Sequence, residues 1–267
     1  MTAMNRVVRH LKPAAMVALL LAGGAWAQTE AVVNPEAELR ELMDRGFYNA
    51  AAQLAGPAWV AEDPTNPEAH LGLAQAAWLS GDLTTARTAV NEAFSLLGDA
   101  SPPAALLNVH GLLLNDEGQA DAAIDTLQRA FDASGAYEHA MDLARVAWLN
   151  GRYDTALEAY AEAAGTPAGQ LEAWPLLNRA RLLDATGDPE AALEAFRETV
   201  ATFDRLEANG GTVDVAAFVE AHYRMGQLLE RLGQPDAARD AYLTARRALP
   251  TYSPAISALD ALRESAP

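Results

Sequence analysis

Cysteine is absent from all 267 residues. That removes disulfides, thiolate nucleophiles, sulfur-ligated metals and any cysteine-borne lipid anchor together. Lysine occurs once, as Lys12, so positive side chains are otherwise arginine and histidine. Positive charge is itself scarce: 36 acidic residues face 19 basic ones, a formal net charge of −17. A field of that sign repels phosphate backbones and anionic headgroups, which argues against nucleic acid and membrane-surface partners. Aromatics make up only 7% of the chain, and β-branched residues are few. Alanine is the largest share of the 51% hydrophobic content, the composition of closely packed helices with little sheet.

Long apolar runs are confined to the N-terminus. Arg6, Arg9 and Lys12 precede the stretch AAMVALLLAGGAWA, which ends in the small-x-small triplet Ala25-Trp26-Ala27. The pattern predicts a cleaved signal peptide over residues 1–27, with cleavage before Gln28. A retained anchor is the competing reading, but the run from Ala14 to Ala27 falls short of the roughly 20 residues that cross a bilayer. Loss of the three basic leader residues takes the net charge from −17 to −20. The expected product is soluble, periplasmic and not inserted in a membrane.

The remainder is periodic. Aligned on Gly46, Gly81, Gly118, Gly151, Gly187 and Gly233, alanine stands five residues later in every copy: Ala51, Ala86, Ala123, Ala156, Ala192 and Ala238. Seven residues before each glycine come Leu39, Ala74, Gly111, Ala144, Ala180 and Gly226, and twelve after it Ala58, Ala93, Ala130, Ala163, Thr199 and Ala245. Nine after it the residue is bulky (Val90, Leu127, Tyr160, Phe196, Tyr242) except at Ala55. Small columns let two antiparallel helices approach, and the glycine turns the chain between them at positive φ. The bulky column is expected to plug the gap to the next pair. Asn66-Pro67, Asp188-Pro189 and Ser253-Pro254 read as helix starts. Asp82, Asp121 and Asp154 mark other second-helix starts, and Thr212 is expected to cap the helix that follows Asn209-Gly210-Gly211.

This order of small, small, bulky and alanine, closed by proline at Pro250, resembles the tetratricopeptide repeat. The resemblance covers residues 32–250, is best in HYRMGQLLERLGQPDAARDAYLTARRALP and weakest in the first copy, where Leu39 and Ala55 depart from the pattern. It implies an all-α, right-handed α-solenoid of six helix pairs over residues 28–267: 32–65, 66–101, 103–135, 137–168, 171–208 and 212–250, with a capping helix at 254–264. The spacing from Gly187 to Gly233, 12 residues beyond a 34-residue unit, predicts a lengthened pair whose tips project from the stack.

No catalytic constellation is visible: the chain has no nucleophile elbow, P-loop, dinucleotide fingerprint or zinc-protease motif. His70, His110, His139 and His222 fall in different repeats, and no metal or cofactor site is expected. What the resemblance does imply is a groove lined by the first helix of each pair. On the family's phase, the inward columns stand ten, six and three residues before each turn glycine. They contain the candidate groove residues Arg40, Gln75, Trp78, Asn108, Arg145, Trp148, Arg181, Tyr223 and Gln227. Arginine and tryptophan dominate binding energy at interfaces, and arginine suits a carboxylate. Each has a structural alternative: the tryptophans pack between pairs, and the arginines pair with local acids such as Asp142 or Asp184. The carboxylate clamp of chaperone-binding members needs lysine, which the sequence after Lys12 lacks.

The expected function is a non-catalytic protein–protein interaction scaffold whose partner is an extended peptide or helix of another envelope protein. Exported bacterial proteins of the family that this chain looks like serve pilus assembly, outer-membrane assembly and cytochrome maturation. Tad-type pilus assembly or secretion is the first expectation. An accessory subunit controlling assembly of a membrane enzyme or cytochrome maturation is the alternative. An unrecognised enzyme ranks third, to be rescued only by a deep pocket with converging histidines and carboxylates.

Overall fold

A computed structural model describes residues 34–264; the leader read over 1–27 lies outside the described residues. Every regular element among them is helical, and the helices come in antiparallel pairs. The first pair is α1 (Pro35–Asp44) and a second helix in three parts, α2 (Tyr48–Ala50), a π turn (Ala51–Ala55) and α3 (Gly56–Glu62). Next come α4 (Pro67–Ser80) with α5 (Leu83–Leu97), α6 (Ala104–Asp116) with α7 (Ala120–Ser134), and α8 (Tyr137–Leu149) with α9 (Tyr153–Gly165). A 3₁₀ turn (Gly169–Leu171) leads to α10 (Trp174–Thr186) with α11 (Pro189–Ala208) and α12 (Val215–Arg231) with α13 (Pro235–Ala248), and α14 (Ser253–Glu264) closes the stack. No described helix is long and apolar enough to cross a membrane.

Alanine and glycine set the distance between helices. The six alanines five residues after the turn glycines are all 0% exposed, and the six glycines themselves have φ between 71° and 86°. The bulky column also fills space within its own pair. A Cβ on Gly111 would lie 2.6 Å from Leu127 Cγ, and one on Gly226 would lie 2.5 Å from the Tyr242 ring. Positions seven before and nine after the glycine therefore share one space, which a small residue and a large one divide between them. The first pair inverts the division, with Leu39 large and Ala55 small, and both are buried in one cluster.

Ala58 is exposed although its column is otherwise buried. The π turn adds one residue to that helix and rotates everything beyond it. Gly56 and Trp59 turn inward instead, Gly56 against Leu73 and Trp59 onto Gly72. Caps follow the sequence in part. Asn66 accepts from the Glu68 N–H at 2.9 Å, Asp82 from Thr85 at 3.1 Å and Asp188 from Ala191 at 3.0 Å. Asp121 and Asp154, however, stand in the first turn, behind caps at Gln119 and Arg152. Asp214, not Thr212, caps α12, accepting from Ala216 and Ala217 at 2.8 and 3.2 Å. The other Asp214 oxygen accepts from Trp174 Nε1 at 2.9 Å. Val213, Phe218 and Trp174, all partly buried, pack against the core cluster that contains Phe203. The lengthened hairpin is thus tied down onto the start of α10 rather than held free.

Successive pairs stack so that the second helix of one rests on the first helix of the next: α5 on α6, α7 on α8, α9 on α10, α11 on α12. First helices also touch, α4 with α6, α6 with α8 and α10 with α12, in closer contact than the second helices have with one another. The stack is therefore shorter along its first-helix side, which makes that side the concave one. The approach of α8 to α10 is looser than these. The connection between their pairs, residues 166–173, is the longest in the stack and carries the extra 3₁₀ turn.

Candidate interaction groove

A pocket of about 470 Å³ opens where α8 and α10 stand apart, lined by Met141, Asp142, Arg145, Trp148, Leu149, Tyr160, Asn178 and Arg181. Arg181 lies over the Trp148 ring, its Cζ 5.5 Å from the centroid, and its Nη1 donates to Asn178 Oδ1 at 3.1 Å. Trp148 in turn meets the Tyr160 ring edge-on at 6.2 Å. Tyr160 is the bulky residue of its repeat, supplied by α9, and its hydroxyl pKa is pushed up to about 12. Burial causes that rise, with Arg181 and Arg145 opposing it. Arg145 is engaged by Asp142, Nη2 to Oδ1 at 3.0 Å. The second oxygen of Asp142 accepts from Asn108 Nδ2 at 2.9 Å. Leu149 is 69% exposed at the edge.

Of the nine candidate residues, Arg145, Trp148 and Arg181 thus converge, with Asn108 one hydrogen bond away. The remaining five are elsewhere. Arg40 pairs with Glu36 and shares with Gln75 a separate pocket of about 300 Å³ between α1 and α4. Trp78 donates from Nε1 to Asp116 Oδ2 at 2.8 Å and bridges two core clusters. It packs between pairs. Tyr223 accepts from Gln227 Nε2 at 2.9 Å and meets the Tyr242 ring at a tilt and the Tyr252 ring edge-on, with centroids 5.8 and 5.5 Å away. Reading three inward columns missed Asp142, Asn178, Tyr160 and Leu149. Asp142 and Asn178 occupy one shared column, nine before the glycine, and would have emerged from a wider stripe. Tyr160 belongs to a second helix and could not. Leu112 and Leu177, from the same inward columns, are buried.

The four histidines of the repeats remain dispersed. His70 Nε2 lies 2.9 Å from the Pro64 carbonyl oxygen and His139 Nδ1 2.7 Å from Ser134 Oγ. His110 meets the Phe94 ring at 5.1 Å, and His222 packs on Phe218 at 4.5 Å. Among the described residues, no group of three His, Cys, Asp or Glu side chains is placed to hold a metal ion.

Tetratricopeptide repeat family models match residues 42–107, 109–170 and 177–253. The chain belongs to the tetratricopeptide repeat family, and its helix pairs form that family's solenoid. No curated protein matches it in sequence. Among solved structures it is similar to PilW, titled a widely conserved type IV pilus biogenesis factor, with TM-score 0.64 and 15% identity, covering 84% of this chain and 96% of that one. Pseudomonas aeruginosa PilF gives TM-score 0.57 and 18% identity, covering 84% and 96%. YrrB, titled a protein of this family with an unusual peptide-binding site, gives 0.55 and 16%, covering 78% and 99%. At these identities the likeness establishes fold alone.

Proposed function

We infer that the chain is a non-catalytic interaction scaffold that receives an extended segment of another envelope protein along the concave face of its first helices. The observation that carries this is the pocket between α8 and α10, where two arginines, an indole face and exposed Leu149 meet. Such a surface offers charge-assisted hydrogen bonds beside apolar contacts, the combination that peptide grooves use. The groove is the candidate surface for the whole set read from the sequence, with Arg145, Trp148 and Arg181 at its centre. Action in the periplasm, in assembly of a pilus or secretion apparatus, is the more specific reading. What supports it is the leader-like N-terminus together with the fold shared with pilus biogenesis factors.

The test is capture of partners from a periplasmic extract by the immobilised chain and by its Arg145→Glu/Arg181→Glu variant. The expected result is loss of the captured proteins with helical content unchanged. Capture that survives both charge reversals contradicts the groove reading.

A further inference from the structure

Arg181 differs from the other arginines near the concave face. Arg40 is paired with Glu36, Arg145 with Asp142, Arg224 with Glu220 and Arg231 with Asp184. Among the described residues Arg181 has no carboxylate within ion-pair distance, although the chain carries 36 acidic residues. Its place is fixed instead by a neutral amide, Asn178, and by the Trp148 face. Guanidinium stacking of this kind holds the fork in position while leaving further N–H donors unspent. It is half-buried, so its charge is screened less than that of an exposed arginine.

Asp142 does for Arg145 what no described residue does for Arg181. One Asp142 oxygen takes Arg145 Nη2 and the other takes Asn108 Nδ2. The pocket consequently presents one pre-positioned cation and one that an internal carboxylate already occupies.

We propose that the pocket between α8 and α10 is an acid-selective subsite, in which Arg181 takes the side-chain carboxylate of an aspartate or glutamate in the middle of an extended segment while Asp142 competes with that carboxylate for Arg145. The inference rests on the groove reading above and names the chemistry of its occupant. An internal residue is favoured over a chain end because the concave face continues past the pocket on both sides, toward Gln75 on α4 and Gln227 on α12. Met141 and exposed Leu149 beside the arginines select an aliphatic neighbour for the acidic residue. Charge complementarity decides the sign: in a chain of net −17, a carboxylate is held only where a local cation is left unneutralised.

The experiment uses the full chain and three peptides blocked at both ends, identical but for one central Glu, Gln or Lys flanked by leucines. A fourth peptide has its sole carboxylate at a free C-terminus. Titration calorimetry gives affinities, and the part of the tryptophan fluorescence change lost in Trp148→Phe localises binding. The Glu peptide is expected to bind about tenfold or more tightly than the Gln peptide, the size of one charged hydrogen-bonded contact. Arg181→Gln is expected to erase that preference. Asp142→Asn is expected to strengthen binding of the Glu peptide severalfold, by releasing Arg145, and to leave the Gln peptide unchanged.

Equal affinity for Glu and Gln peptides with Trp148 still reporting overturns acid selectivity and leaves the groove reading standing. So does a preference that persists in Arg181→Gln, or weaker binding of the Glu peptide by Asp142→Asn. Tighter binding of the C-terminal carboxylate peptide overturns the internal-residue assignment. Failure of every peptide at millimolar concentration, together with intact capture by the charge-reversed variant, overturns both readings.

Discussion

Gly111→Ala is expected to have opposite effects in two backgrounds. Gly111 is buried within α6, and an added Cβ would stand 2.6 Å from Leu127 Cγ, 2.9 Å from Leu127 Cδ2 and 3.2 Å from the Ala123 carbonyl oxygen. Two of these approaches are to one side chain, and Leu127 is 0% exposed with no room to withdraw. Overpacking of this kind costs about 1–3 kcal/mol. Replacing a mid-helix glycine by alanine returns about 1 kcal/mol of backbone entropy. The net expectation in the native background is a loss of up to about 2 kcal/mol. Leu127→Ala alone leaves a cavity and costs about 2–5 kcal/mol. In that background the clash with Leu127 is gone, and the new methyl fills part of the hole, which offsets the carbonyl approach that remains. Gly111→Ala then stabilises by about 1 kcal/mol or more. Urea unfolding followed by far-ultraviolet circular dichroism, with slopes equal across the four proteins, gives the coupling. The same sign in both backgrounds would refute the shared-space account of the two columns.

Three further outcomes are expected. Ala156→Phe, at a position with no exposure, forces volume between α8 and α9 and should abolish cooperative unfolding or lower the melting temperature sharply; an unchanged melting temperature would refute the repeat phase. Asp214→Ala removes both the α12 cap and the Trp174 acceptor, a loss of about 1–2 kcal/mol. Trp174→Phe added to it should cost little more, and fully additive losses would contradict the tie between α10 and the lengthened hairpin. The third concerns His222, 7% exposed and, among the described residues, without a hydrogen-bond partner on either ring nitrogen. Burial lowers its pKa, with Asp204 opposing, and Arg197 and Asp240 line the pocket beside it. The folded state resists a proton that the unfolded chain accepts, so stability should fall as pH drops below the ordinary value of 6.5. Asp82 and Asp214, both held below the usual carboxylate range by hydrogen bonds, lose their contributions only at lower pH. His222→Leu should therefore flatten the upper part of the acid decline, and an identical decline in the variant would contradict this.

What could be read before any coordinates was whatever the repeat determines locally. Turn glycines, the alanine column and the Asn66, Asp82 and Asp188 caps depend on contacts within one pair. Trp78 and Trp148 show where that ends. Their contexts, AAWLSGD and VAWLNGR, are nearly alike, yet Trp78 is fastened to Asp116 while Trp148 lies beneath Arg181. The difference comes from the following pair, more than 30 residues on in each case, and no local pattern encodes it. The π turn escaped for another reason: one extra residue in an alanine-rich helix leaves composition unchanged and alters only which alanine faces inward. The first pair looked degenerate because its columns were judged singly, whereas Leu39 and Ala55 satisfy jointly what each violates alone. The wider separation of α8 and α10, which makes the pocket, coincides with the long connection at residues 166–173, whose length no helix column announces.

The central claim is that partners are received on the concave face, at α8 and α10. Photo-crosslinking addresses it most directly, with a photoreactive residue placed singly at Met141 or Leu149 in the groove and at Glu158 or Glu194 on the second helices. Crosslinks to a common partner from the first two positions and none from the last two are predicted. Crosslinks from Glu158 or Glu194 alone would place recognition on the outer face and contradict the account.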